Sequence, residues 1–332
     1  MKSKKRSLTG IQPTGDIHIG NYFGAIVPSI ENSKTYNSFY FIADYHALNG
    51  LKDHGKLKES SYKVAAAWLA CGLDTKKVTF YKQSSIPQIF ELETILACYM
   101  PKGLINRAHS YKDKVAKNLE ANLSDDEGIN MGLFNYPLLM AADILIFQSD
   151  VVPVGKDQKQ HLEITRQIAK IINSRYNKNI FTIPTPQIDE RKHVIGINGK
   201  KMSKSYNNTI PIFAPSNILK KRVMSIVTNS QTVGEKKDPT TCNIFAIYSL
   251  FATNTERLSL KKRYEAGGMG WGEAKMLLYE KIEETISPKR KKFNYLIKNK
   301  KIIEDILDEG SSKARYVAKN NLSEIKKKMG LI

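Results

Sequence analysis

The sequence predicts an α/β domain with a parallel sheet and crossover helices, followed by an all-helical domain. Three observations carry this reading. Up to about residue 195, short apolar β-prone runs alternate with longer stretches of helical period. Beyond Tyr206 such runs cease, and Pro211, Pro215, Pro239 and Pro288 punctuate helical stretches instead. At roughly 100–200 residues per domain, the 332-residue chain has length for two domains.

Ser7-Leu-Thr-Gly-Ile11 reads as the first strand, closed by the turn Gln12-Pro-Thr-Gly15. Ile19, Tyr22, Phe23, Ile26 and Ile30 then recur at helical spacing. Phe39-Tyr-Phe-Ile-Ala43 is a continuous apolar run that ends at Asp44, the pattern of a strand buried on both faces. Val78-Thr-Phe-Tyr81 and Asp150-Val-Val-Pro-Val154 are two more. In the second half, Gly267-Gly-Met-Gly-Trp-Gly272 is a loop before a helix starting near Glu273. Leu322, Ile325 and Met329 mark one face of a last helix.

Composition narrows the class. Apolar residues make up 41% and charged residues 25%, too apolar for a disordered chain. No run approaches the 18 or so apolar residues of a membrane span; Leu138 to Phe147 comes nearest, and Asp143 interrupts it. The basic start lacks a following apolar segment, so it does not read as a secretory signal. Cys71, Cys98 and Cys242 are far apart and odd in number, against a disulfide framework and against a four-cysteine metal site. A cytoplasmic protein without a membrane partner is expected. The net charge of +20 favours a polyanionic partner, although a lysine-rich codon bias gives the same composition. Lys289-Arg-Lys-Lys292, Lys326-Lys-Lys328 and Lys220-Lys-Arg222 all lie in the second half, where a basic surface would touch phosphates without reading sequence.

Two segments carry chemistry. Thr14-Gly-Asp-Ile-His-Ile-Gly-Asn21 stands between strand and helix, where glycines allow close approach and a helix start offers unpaired N–H groups to phosphate. It does not fit the Gly-x-Gly-x-x-Gly dinucleotide fingerprint. Lys200-Lys-Met-Ser-Lys-Ser205, flanked by Gly196 and Gly199, sets two lysines on a loop that can follow charge onto a departing polyphosphate. Singly, each is also readable as an ordinary turn and a solvated basic loop.

Together, in this order, the pair resembles the HIGH and KMSKS signatures of class I aminoacyl-tRNA synthetases. Tyr136-Pro-Leu-Leu-Met-Ala-Ala-Asp143, Val152-Pro-Val-Gly-Lys-Asp-Gln-Lys-Gln-His161 and Gly10-Ile-Gln-Pro-Thr-Gly15 narrow the resemblance to the bacterial-type tryptophanyl-tRNA synthetases. It spans nearly the whole chain and is strongest from 8 to 205.

The resemblance implies a Rossmann-like catalytic domain over 1–205, a helical anticodon-binding domain over 206–290, and a C-terminal helix over 291–332 that returns to the catalytic domain. It implies ATP and Mg2+, L-tryptophan, tRNA(Trp) and a homodimer, with no resident metal site. Gln12, Thr14, His18, Gly20, Asn21, Gly155, Asp157, Gln158, Met202, Ser203 and Lys204 are expected to hold ATP. Lys201 and Lys204 are expected to act on the phosphates. Lys114 is assigned the same reach, though it reads also as plain surface. Asp143, Tyr136, Met140, Asp44, His46 and Val152 are expected to form the tryptophan pocket; His46 has the alternative of a satisfied core histidine.

Tyr136, Met140 and Asp143 share one helix face, and a carboxylate on an apolar face is costly unless it meets a donor. The resemblance implies that this donor is the indole N–H. Lys156, Ser110 and Ala43 depart from the residues common at those positions in the family. The sister tyrosyl-tRNA synthetases typically have a glutamine where this chain has Met140.

Overall fold

Five strands, β1 (Arg6–Ile11), β2 (Asn37–Ile42), β3 (Val78–Lys82), β4 (Val151–Val154) and β5 (Thr185–Ile188), pair in parallel in the order β3-β2-β1-β4-β5. The computed structural model describes residues 4–13, 15–50, 53–155, 158–188 and 194–332. Parallel neighbours require long crossovers. Helix His54–Ala70 joins β2 to β3, helices Gln88–Ala97 and Met131–Ile146 lie between β3 and β4, and helix Lys159–Tyr176 joins β4 to β5. The outermost position of β5 accommodates Pro186, which could not donate to a further neighbour.

The apolar runs are explained by burial on both faces. Along β2, Tyr40 and Ile42 enter one core, and Phe39 and Phe41 enter the other. The first core contains Trp68, stacked on Phe80 at 5.5 Å and edge-on to Tyr40 at 5.1 Å. It continues without a break into the helical half through Ile212, Ile244, Leu278 and Ile282. The second core packs Leu8, Phe39 and Phe41 against helices Gln88–Ala97, Met131–Ile146 and Lys159–Tyr176.

Two long helices close the chain, Trp271–Lys298 and Lys300–Met329, and the break between them falls at Asn299. The last helix contributes Ile303 and Leu307 to the first core and Ala314, Leu322 and Met329 to the second, so it crosses the edge of the sheet. The crossing point is Gly310, where a β-carbon would overlap the backbone carbonyl of Phe80 in β3. Among the described residues no helix is long and apolar enough to cross a membrane.

Candidate active site

β1 and β4 are neighbours whose following helices pack on opposite faces of the sheet, and a crevice opens beyond their carboxyl ends. Two adjoining cavities fill it. They share Asn21, Ala25, Gly155 and Gln158 in their walls.

The outer cavity, about 430 Å³, lies between the His18 turn and the lysine loop. His18 heads a helix: its Nδ1 accepts from the Asn21 N–H (3.3 Å), and Asn21 Oδ1 accepts from the His18 N–H (3.2 Å). An accepting Nδ1 places the ring proton on Nε2 and makes that nitrogen a donor. Burial, and then the charge of Lys204, lower the His18 pKa to about 4, so the ring is neutral at physiological pH. Gly20 lets the backbone come close here, since a β-carbon would sit a tight 3.0 Å from the His18 ring. The Gly20 N–H instead donates to Met202 Sδ at 3.3 Å, joining the two signatures across the crevice. Lys201, Ser203 and Lys204 line the same cavity. Partial desolvation against the cavity wall lowers the Lys204 pKa although the residue as a whole stays exposed, with Asp16 opposing the shift and Lys63 adding to it.

The inner cavity, about 440 Å³, is walled by Gly10, Phe41, Ala43, Met140, Ile144 and Val152, with Asp143, His46 and Tyr136 among its polar members. Asp143 is 1% exposed. Its Oδ2 pairs with His46 Nε2 at 2.9 Å, and Gln83 Nε2 donates to both carboxylate oxygens at 2.9 and 3.0 Å. Burial raises the Asp143 pKa, while His46 and Gln83 pull it back down. Tyr136 packs edge-on between His46 (4.6 Å) and His161 (5.2 Å), and His161 Nδ1 lies 3.0 Å from Gln158 Oε1. An ionised carboxylate has lone pairs to spare after two donors, so Asp143 can accept a third N–H from a ligand.

A family model described as tRNA synthetases class I (W and Y) matches residues 2–287. The chain is 48% identical over 329 residues to the tryptophan–tRNA ligase of Fusobacterium nucleatum, covering 99% of this chain and 98% of that one. It is 46% identical over 327 residues to the tryptophan–tRNA ligase of Campylobacter jejuni, covering 98% and 100%. The chain belongs to the tryptophan–tRNA ligase family. It is thereby a class I aminoacyl-tRNA ligase. The crystal structure of the tryptophanyl-tRNA synthetase from Campylobacter jejuni complexed with ADP and tryptophan matches it with a TM-score of 0.89 at 46% identity, over 98% of this chain and 99% of that chain.

Against this tryptophan–tRNA ligase frame, the residues expected at ATP fall in three groups. His18, Gly20, Asn21, Gly155, Gln158, Met202, Ser203 and Lys204 line the outer cavity together with Lys201. Gln12 lines the inner one. Thr14 and Asp157, with the departing Lys156, lie outside the described residues. Of the residues expected at tryptophan, Asp143, Tyr136, Met140, His46 and Val152 line the inner cavity.

Asp44 lies apart from the inner cavity. Its Oδ1 accepts from the N–H groups of Ser84 (3.0 Å) and Tyr45 (3.2 Å), and its Oδ2 accepts from the Ser84 hydroxyl. It faces a separate cavity beside Tyr62 and Lys82. The cause is strand order: β2 and β3 adjoin, so the carboxylate just past β2 meets the turn just past β3. Lys114 lies in helix His109–Glu120 beside Gly128, outside the walls of both cavities.

Two residues were not singled out from sequence. Gln83, fully buried, donates to Asp143 and accepts from the Tyr45 N–H at 3.2 Å. Asn208, 1% exposed, lies beneath the lysine loop. The available signal for Gln83 was an uncharged polar residue at the carboxyl end of an apolar strand, the end at which parallel sheets bind ligands.

Proposed function

We propose that this chain activates L-tryptophan with Mg·ATP and transfers it to tRNA(Trp), releasing pyrophosphate and AMP. The observation that carries this reading is the pairing of a cavity built around one buried carboxylate with an adjoining cavity bordered by His18, Lys201 and Lys204. The indole lies in the inner cavity with its N–H donated to Asp143; Tyr136 stands near the amino group, and Met140 and Val152 flank the ring. Phenylalanine in that position would leave the buried carboxylate facing carbon, a strong basis for rejection.

The tryptophan carboxylate is ionised at neutral pH, so its attack needs no general base. An oxygen of that carboxylate bonds to the α-phosphorus, the bond from that phosphorus to the bridging oxygen of the β-phosphate breaks, and pyrophosphate leaves with the bonding electrons. The acceleration comes from alignment and from stabilising the charge that builds on the leaving group. Neutral His18 donates from Nε2 toward the nucleotide, Gly20 and Met202 lie against the adenine, and Lys201 and Lys204 face the phosphates. Gln12, Asn21, Gly155, Gln158 and Ser203 complete the ATP site, with Thr14, Asp157 and Lys114 the more distant candidates. In the second step the 2′-OH of the terminal ribose takes the acyl group and AMP departs.

The region over 206–290 is assigned to the anticodon, the segment over 291–332 to the return onto the catalytic domain, and the enzyme to a cytoplasmic homodimer. Sedimentation of the purified protein tests the dimer directly. The main test is ATP–pyrophosphate exchange with Mg²⁺ and tryptophan, tyrosine, phenylalanine or no amino acid. Exchange with tryptophan alone is expected; exchange with tyrosine would move the substrate to the sister enzyme's, and no exchange would defeat the reading.

A further inference from the structure

The lysine loop is exposed, yet a fully buried side chain lies under it. Lys200, Lys201, Lys204, Ser205 and Tyr206 are open to solvent, whereas Asn208 is 1% exposed. Its carboxamide is fully engaged with the loop, to backbone and to the Asn198 side chain. Oδ1 accepts from the Ser203 N–H at 2.8 Å, and Nδ2 donates to Lys201 O at 3.0 Å and to Asn198 Oδ1 at 2.8 Å. The Asn208 backbone carbonyl accepts from the Ile197 N–H at 3.0 Å. The approach is tight enough that a β-carbon on Gly196 would overlap the Asn208 carboxamide. One amide therefore bridges the peptide units on both sides of Met202, while Met202 itself is bonded to Gly20 across the crevice.

We propose that Asn208 is a positioning residue for adenylation: it fixes the backbone of Lys201 and Ser203 so that both signature lysines meet the departing pyrophosphate. It touches no substrate. Arg222 secures the next stretch, donating to Thr209 O at 2.7 Å and to the backbone carbonyl of Asn207, a residue held at φ 47°. The chemistry explains why the residue must be an amide. The loop offers one N–H and three acceptors to this point, Asn198 Oδ1, Lys201 O and, at 3.4 Å, Lys200 O, and a side chain with one acceptor and two N–H donors serves them together. Isosteric aspartate keeps the bond from Ser203 but sets a charge against Lys201 O and Asn198 Oδ1. Protonating that carboxyl returns one donor.

This inference rests on the proposed adenylation, and the experiment separates the two. ATP–pyrophosphate exchange is measured for wild type, Asn208→Ala, Asn208→Asp and Gly196→Ala, with active sites counted by single-turnover adenylate formation. Wild-type exchange tests the function itself. If the inference holds, Asn208→Ala lowers kcat per active site by about 10²-fold, the order of loss from misplacing a reacting group by an ångström. KM for tryptophan stays within about threefold, since the inner cavity does not include the loop. Gly196→Ala, which displaces the amide without removing it, shows the same division between kcat and KM. Asn208→Asp regains kcat relative to wild type as pH falls from 8.5 to 6, because a carboxyl buried among acceptors titrates upward into that range. Unchanged kcat per active site in both Asn208 variants overturns the proposal. So does a loss confined to the number of active sites, with a pH profile parallel to wild type.

Discussion

The two cavities are nearly equal in volume and opposite in construction. The inner one is walled by strands and by helix Met131–Ile146, with its single carboxylate tied to Gln83 and His46. The outer one is closed on one side by a helix start and on the other by a loop whose lysines face solvent. The difference follows from what each must do. Choosing between aromatic side chains needs a polar group that cannot relax when left unpaired, hence a carboxylate buried and held by neighbours. Following charge from the α-phosphorus to a leaving pyrophosphate needs donors that can travel, hence a loop.

The sharpest way to break this contrast is Lys204→Ala. It should lower kcat for tryptophan-dependent exchange by about 10²–10³-fold, the usual loss of one donor to developing charge, with KM for tryptophan little changed. An unchanged kcat would remove Lys204 from the transition state. Asp143→Asn should do the reverse. It lowers kcat/KM for tryptophan by about 10²-fold, the scale of a hydrogen bond to a charged group, and leaves the affinity for ATP intact. Retained discrimination against phenylalanine would end the assignment of Asp143 to the indole.

A smaller loss, about tenfold in KM for tryptophan, is expected from Gln83→Leu, which strips one donor from the carboxylate. Burial already raises the Asp143 pKa and Gln83 opposes that shift, so the variant raises it further. Its deficit is therefore largest at low pH and shrinks as rising pH restores the ionised acceptor. A pH-independent deficit would show that Gln83 acts only through packing.

The least effect is one of stability. His18 has a pKa of about 4 in the fold against 6.5 in an unfolded chain. Below pH 6.5 the unfolded state binds a proton that the folded state refuses, so this contribution to stability is lost as pH falls toward 4. Asn caps helices well. Thermal melts of His18→Asn should thus decline less between pH 6.5 and 4 than those of wild type, and parallel curves would contradict the buried neutral ring.

Much of the fold was legible because the apolar runs are long and the strands lie buried on both sides. β1 to β4 each correspond to a run seen in sequence, whereas Thr185-Pro-Gln-Ile188 is short, carries a proline and is a strand only through its neighbour Val151–Val154. At the site, His18, Met202, Lys201 and Lys204 were legible because a local turn or loop needs them at fixed spacing. Asp143 was legible as a charge on an apolar helix. Gln83 and Asn208 were not, since each owes its role to segments that meet only after folding: β3 beside β2 for one, the loop over its own continuation for the other. The surroundings of Asp44 were not legible for the same reason, because its carboxylate accepts from the turn of a neighbouring strand.

Gly310 gives the molecule an order of assembly. β3 is the outermost strand on its side of the sheet, and its outer margin is occupied by the helix that carries Gly310. During synthesis β3 leaves the ribosome long before that helix exists. A nascent chain that has completed β5 still carries an open strand margin, ready to recruit another strand. The C-terminal helix thus serves the newborn protein as its own protection against aggregation, and Gly310 is the residue that lets it seat flush.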